Sequence, residues 1–279
     1  MKLTVLVDNN TLIDRYFCGE PGASYLIEEG NYKILFDVGY SEMFIRNAQK
    51  MGIDLLKLDF VVLSHGHLDH TWGLDPLIRL YMEATIEGRT HKTPTIIAHP
   101  EVFLTKRIEI LGDIGSAISE KKLSEHFPLK LNEKPVWLTD RLVYLGKIER
   151  NNDFEGQVPI GKVVRNGHEK DDFLMDDSAL AYKSPEGLVI ITGCSHAGIC
   201  NIVKQAKTIC KDERVIDIVG GLHLLEPSER QMKGTLKYLK KIKPKKVHAC
   251  HCTDLKSKIA LSNFVNVQEV GVGLKIEYN

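Results

Sequence analysis

The chain lacks a long apolar run. Its first residues, Met1-Lys2-Leu3-Thr4-Val5-Leu6-Val7-Asp8, are too short for a signal peptide or membrane span and read as a first β-strand. No other segment approaches membrane-helix length, so no membrane association is expected. Net charge is lacking too. Thirty-seven Lys and Arg balance 37 Asp and Glu, so no global field favours nucleic acid. The six cysteines, Cys18, Cys194, Cys200, Cys210, Cys250 and Cys252, form no C-x-x-C pair and no disulfide-like framework. With no export signal, free thiols in a reducing cytoplasm are expected. Repeats, low-complexity tracts and linkers are absent as well. The 279 residues are therefore expected to form one domain, 1–279, large enough to bury a substantial core.

Short apolar strands alternate with amphipathic helices. Tyr25-Leu26-Ile27 and Lys33-Ile34-Leu35-Phe36-Asp37 read as a hairpin turning at Glu29-Gly30-Asn31, and Ser41 as the N-cap of a helix carrying Phe44, Ala48 and Met51. A strand at 59–64, a helix from about Leu74 and a strand at Thr95-Ile96-Ile97-Ala98 follow. Residues 101–160 are less regular, with a helix expected near 101–110, a polar stretch at 119–134 and a strand pair near 136–147. Beyond them the pattern gives strands at 179–183, 187–191, 215–219, 246–250 and 270–277, and helices at 198–210, 228–241 and 254–263. Hairpins rule out a purely parallel sheet. The expected class is α/β with mixed (α+β) sheets in layers.

What the sequence does have is Ser64-His65-Gly66-His67-Leu68-Asp69-His70, directly after Phe60-Val61-Val62-Leu63. Three imidazoles and a carboxylate within six residues offer the nitrogen and oxygen donors that zinc or iron takes, and more than one tetrahedral ion uses. His65 and His67 are expected to serve a first metal, with Asp69 and His70 serving a second. A polar, histidine-rich surface loop is the ordinary alternative, and such tight spacing argues against it.

Further donors are expected at strand ends. Thr192-Gly193-Cys194-Ser195-His196 places His196 as a ligand, with Cys194 either a second donor or a small core residue. His251, in Ala249-Cys250-His251-Cys252-Thr253, is the other distant ligand. His223, in Gly220-Gly221-Leu222-His223-Leu224, binds metal or hydrogen-bonds substrate. Asp176 and Asp177 offer carboxylates or cap the turn before strand 179–183. Asp37 suits a supporting carboxylate that fixes an imidazole tautomer. His91, His99, His126, His168 and His248 carry no comparable pattern, although His168 could line a cleft.

These motifs resemble the metallo-β-lactamase superfamily, whose H-x-H-x-D-H motif follows a strand, with an earlier Asp and later ligands at strand ends. The resemblance implies a four-layer αβ/βα sandwich and a metal-dependent hydrolase. A narrower similarity joins Asp176–Leu180, Gly187–Ile199, Gly220–Leu224 and His251–Thr253 to the dihydropterin–aminobenzene-ribofuranosyl-phosphate synthase group. Where many superfamily members have a third-motif His, this chain has Asp176-Asp177, and Cys194 stands where a bridging carboxylate is usual. Trp72, where Gly is common, is expected to wall the site.

The expected cofactors are two divalent ions, zinc first, with iron or manganese as alternatives. They would hold a hydroxide for attack on an ester, lactone or phosphoester of an anionic small molecule. Asp69 would orient that nucleophile, and His223 would stabilise the oxyanion or protonate the leaving group. The resemblance also implies a rival: transfer, in which a pterin pyrophosphate condenses with an arylamine. A nuclease rests only on seven lysines between Lys233 and Lys246, which lack interleaved aromatics and read as a solvated helix face and turn. A non-catalytic metal or redox sensor is the fourth reading, including a structural zinc on Cys194, His196, Cys250 and Cys252. Specificity is expected in an insertion around 101–175, with Lys106, Arg107 and Arg165 as possible anion contacts. The sequence sets no oligomeric state.

Overall fold

The structure, a computed structural model, describes residues 1–279. The chain begins with β1 (Lys2–Val7), β2 (Ser24–Glu29), β3 (Tyr32–Phe36), α1 (Met43–Lys50), β4 (Phe60–Val62), α2 (Leu68–Thr71), α3 (Leu74–Ile86) and β5 (Thr95–Ala98). Next come β6 (Lys106–Ile108), β7 (Gly112–Asp113), α4 (Glu120–Ser124), β8 (Leu129–Leu131), β9 (Val136–Trp137), β10 (Leu142–Tyr144), β11 (Lys162–Arg165) and β12 (His168–Asp171). It closes with β13 (Ala179–Ser184), β14 (Gly187–Thr192), α5 (Ile199–Cys210), β15 (Val215–Gly221), α6 (Glu229–Ile242), β16 (Lys246–Cys250), α7 (Leu255–Ser262) and β17 (Lys275–Glu277).

One sheet runs β17-β1-β2-β3-β4-β5-β8 and a second runs β16-β15-β14-β13-β10-β9. Both are mixed. β1, β2 and β3 pair antiparallel before β3, β4, β5 and β8 run parallel; β13 and β14 pair antiparallel before β14, β15 and β16 run parallel.

Period-two alternation sorts the strand residues between two faces. In β3, Ile34 and Phe36 face the other sheet while Leu35 faces helices α1 and α3; in β14, Val189 and Ile191 face inward while Leu188 and Ile190 face α5. The inner cluster, which includes Tyr25, Phe36, Leu180 and Ile191, belongs to both sheets. Helix–sheet–sheet–helix layering follows, the four-layer sandwich expected from sequence.

Some local expectations shift. Ser41 does not cap α1 from the N-cap position, which Glu42 holds; its Oγ accepts from the Met43 N–H and donates to Glu20. The helix expected near 101–110 is a 3₁₀ turn at Pro100–Phe103 followed by β6, because Lys106 and Arg107 pair with β11. Cross-strand pairing overrides local propensity here. The closing strand shortens to Lys275–Glu277. Residues 101–175 are not one unit. β8 extends the first sheet, β9 and β10 extend the second, and β12-β11-β6-β7 form a small sheet of their own. No helix is long and apolar enough to cross a membrane.

Candidate metal centre

The donor-bearing loops leave the carboxyl ends of the parallel strands, where open α/β sheets leave a crevice. Asp37 follows β3, the 64–67 loop follows β4, Cys194 to His196 follow β14, His223 follows β15 and His251 follows β16. Four of these turns place a non-glycine residue in left-handed backbone: Asp37, Ser195, His223 and His251, with φ of 57°, 60°, 51° and 51°. Such strain concentrates where the surrounding structure dictates a side chain's aim. Glycine is required twice. A Cβ at Gly66 would lie 2.2 Å from the Val102 carbonyl, and one at Gly193 would lie 2.2 Å from Ser64 Oγ.

Two donor groups result. In the first, His65 Nε2 lies 3.2 Å from His67 Nδ1 and 3.1 Å from His196 Nε2. Nitrogens bound tetrahedrally to zinc stand about 3.3 Å apart, from a Zn–N bond of roughly 2.0–2.1 Å. In the second, His70 Nε2 and His251 Nε2 are 3.2 Å apart, and Cys194 Sγ lies 3.3 and 3.1 Å from them. Asp69 Oδ2 lies 3.3 Å from His251 Nε2. Cys194 stands with both groups, within 4.8 Å of the donor atoms of His65 and His196 in the first and of Asp69, His70 and His251 in the second.

Hydrogen bonding fixes the tautomers. Ser64 Oγ donates to Asp37 Oδ2 at 2.7 Å, so its contact with His65 Nδ1 at 2.9 Å uses the ring's N–H and leaves Nε2 with its lone pair. His70 Nδ1 donates to the same Asp37 oxygen at 2.7 Å, again freeing Nε2. His251 Nδ1 donates to Asn9 Oδ1 at 3.0 Å, while Asp8 accepts the His251 backbone N–H. Lone pairs thus converge with few protons between them, and a cation satisfies them.

Charge agrees. Burial, then the neighbouring imidazoles, holds His65 and His196 well below the ordinary histidine range; burial takes His67 down to about 4. For Asp69, burial is outweighed by His70 and His251, and its carboxyl sits below the usual range. Burial acts to lower His70 too, but Asp69 and Asp37 raise it to about 9, so a metal ion entering there displaces a proton. Burial pushes the Cys194 thiol well up, and a cation beside it would favour the thiolate instead. The donor set fits divalent metal.

Other expected residues lie elsewhere. Asp176 is outside both groups: Oδ2 accepts from the Gly66 N–H at 2.8 Å and Oδ1 from Lys106 Nζ at 2.9 Å. Asp177 Oδ2 accepts from the Ala197 N–H, and burial, with Asp176 beside it, pushes its carboxyl up to about 7. Both aspartates brace donor loops from behind. Lys106 is buried between Asp172 and Asp176, Arg107 pairs with Glu169 and Arg165 with Glu101, and none of the three lines the cavity. Cys250 lies between the sheets against Tyr25, so a zinc site including it does not assemble. His168 is exposed on β12, and His248 pairs with Asp217. Trp72 stacks on Tyr40, which lines the cavity.

Lys106→Met is expected to destabilise the fold by about 3–5 kcal/mol, since it strands buried carboxylates. Asp176 sits below its ordinary carboxyl range: burial raises it, but Lys106 prevails. The pair therefore stabilises at neutral pH and loses that contribution as pH falls through the folded carboxyl's value. Urea midpoints at pH 7 and in acid, for wild type and variant, check this.

A cavity of about 1130 Å³ opens over both groups, with His67, Asp69, Cys194, His196, His223 and His251 in its wall. The His223 ring lies 4.4 Å from that of His196, and its Nδ1 has no hydrogen-bond partner.

The pattern of the Metallo-beta-lactamase superfamily matches residues 19–200, the span that carries every donor except His251. The chain belongs to this superfamily. A synthase of Methanocaldococcus jannaschii, 7,8-dihydropterin-6-methyl-4-(beta-D-ribofuranosyl)-aminobenzene-5'-phosphate synthase, is 30% identical over 92% of this chain and 89% of its own. Among solved structures, a metal-dependent hydrolase of the beta-lactamase superfamily superposes with a TM-score of 0.83 at 29% identity, covering 99% of this chain and 98% of that one. Zn(2+)-bound PqqB from Methylobacterium extorquens has a TM-score of 0.55 at 12% identity over 99% and 100% of the two chains, and shares the fold. Superfamily members usually bind divalent metals.

Proposed function

We propose that this chain is a metal-dependent hydrolase of an ester, lactone or phosphoester in an anionic small molecule. One observation carries the reading: two donor groups share Cys194 and open together on one large cavity. His65, His67 and His196 would hold one ion, and Asp69, His70 and His251 the other, with Cys194 between them. Ions bound there, zinc first, would make water acidic near neutral pH and polarise the substrate oxygen. Asp69, its carboxylate at the cavity wall, orients the attacking water and accepts its proton. His223 lends its free ring nitrogen to the developing oxyanion or the departing alcohol. Asp37 and Ser64 hold the imidazoles in the donor tautomer.

Exhaustive chelation is expected to abolish hydrolysis of a generic aryl ester, lactone or phosphodiester, and zinc, iron or manganese to restore it. Elemental analysis should find about two ions per chain. Activity that survives chelation would sink the proposal.

A second reading, transfer, is favoured by the synthase relative's identity over most of both chains. An anion held at the same donors would then be the leaving pyrophosphate. Assay with a pterin pyrophosphate and an aminobenzene ribofuranosyl phosphate, against the generic esters, separates the two. The nuclease reading has less support, because none of the lysines between Lys233 and Lys246 lines the cavity.

A further inference from the structure

We infer that the substrate carries a second anionic group, remote from the reacting bond, and that Lys258 receives it. This deepens the proposed function, since it takes the two donor groups as the reacting end.

Lys258 is the only Lys or Arg in the cavity wall. It is half-buried and pairs with no carboxylate, whereas Lys106, Arg107 and Arg165 are all taken up in ion pairs. The acids that share the wall do not answer it. Asp69 stands with the metal donors. Asp254 caps α7, accepting from the Ser257 N–H at 2.6 Å and the Glu226 N–H at 2.8 Å. Asn10 stands with Lys258 both in the cavity wall and in the groove that adjoins it. An ammonium held this way, with an amide beside it, suits a carboxylate or a phosphate monoester.

Apolar side chains share the wall with Lys258. Leu255 is one turn from Lys258 on α7 and also lines the cavity. Leu111, Leu225 and Leu255, all in the cavity wall, are each at least 66% exposed. Ile110, beside Leu111 in the chain, is 87% exposed, and Val158, 78% exposed, lines a smaller adjoining cavity. Exposed apolar side chains gathered at one opening mark a binding surface. The ligand class that fits is an elongated molecule: a hydrolysable ester or phosphoester at the donors, an apolar or aromatic body along the collar, and an anion at Lys258.

Binding of three non-hydrolysable probes to the metal-loaded protein, measured by calorimetry, tests this. The probes are biphenyl-4-phosphonate, biphenyl-4,4'-diphosphonate and 4'-phosphonobiphenyl-4-carboxylate. Wild type is expected to bind at least one doubly charged probe about tenfold or more tighter than the monophosphonate. Whichever is preferred tells a phosphate partner from a carboxylate. Lys258→Ala should bring the three within about twofold, and Lys258→Arg should keep the preference. Lys256→Ala, on the exposed side of the same helix, should also keep it. Equal affinities in wild type, or a preference that survives Lys258→Ala, overturns the inference. A Lys258-dependent preference in a protein that hydrolyses nothing would sink the hydrolase reading and leave this one standing. Metal-dependent hydrolysis with equal affinities does the reverse.

Discussion

Asp69→Asn is expected to lower kcat for hydrolysis by about 10³-fold, within the roughly 10²–10⁴-fold range of a positioned proton acceptor. Its Oδ2 stands 3.3 Å from His251 Nε2, and both residues line the cavity. The carboxylate is thus placed to bind an ion through one oxygen and direct water with the other. The amide keeps the shape but accepts no proton. KM should move much less than kcat, and a cobalt-substituted variant should keep its thiolate-to-metal absorption, because Cys194 is intact. Unchanged kcat would remove Asp69 from the chemistry; loss of metal with loss of activity would make it a ligand only.

Asp37→Ala acts at a distance from substrate and should be nearly as damaging. The carboxylate is fully buried and accepts three hydrogen bonds: the Ser64 N–H, Ser64 Oγ and His70 Nδ1, each at 2.7 Å. Removing it frees His70 to take either tautomer and unhooks the relay through Ser64 to His65, so both donor groups lose an aimed imidazole. Metal affinity is expected to fall about 10- to 100-fold. The orphaned donors should also lower stability by about 1–3 kcal/mol. Competition with a chromophoric chelator reads the first, and a urea midpoint reads the second. Asp37→Asn should recover part of the stability and little of the affinity, since an amide oxygen is a weaker acceptor for an imidazole N–H. An affinity within twofold of wild type would show that the imidazoles are aimed by packing alone.

Much of this was legible because the relevant signals are local. His65, His67, Asp69 and His70 sit in one loop, and the runs before His196, His223 and His251 announce strands whose carboxyl ends must open somewhere. The hydrophobic period likewise placed α5 and α6 within a residue, and the start of α3 was legible at Leu74. What escaped depends on distant partners. Asn9 follows β1 in Asp8-Asn9-Asn10, which reads as an ordinary turn; only the fold brings it to His251, 242 residues away. Asp176 looked like a donor because nothing in its neighbourhood shows that Lys106, 70 residues earlier, has claimed it. Lys106 looked like a surface cation for the same reason. β6 and β11 pair across more than 50 residues, and neither segment is apolar enough to announce itself.

The donors divide between the two sheets. His65, His67, Asp69 and His70 hang from the first, while Cys194, His196 and His251 hang from the second, so each donor group draws on both. An ion seated in either group therefore staples one half of the sandwich to the other, across the seam where their inner faces meet. Its affinity becomes a term in the stability of the whole chain, about 4 kcal/mol when the free ion exceeds its Kd a thousandfold. Loss of the metals would then loosen the seam as well as silence the chemistry.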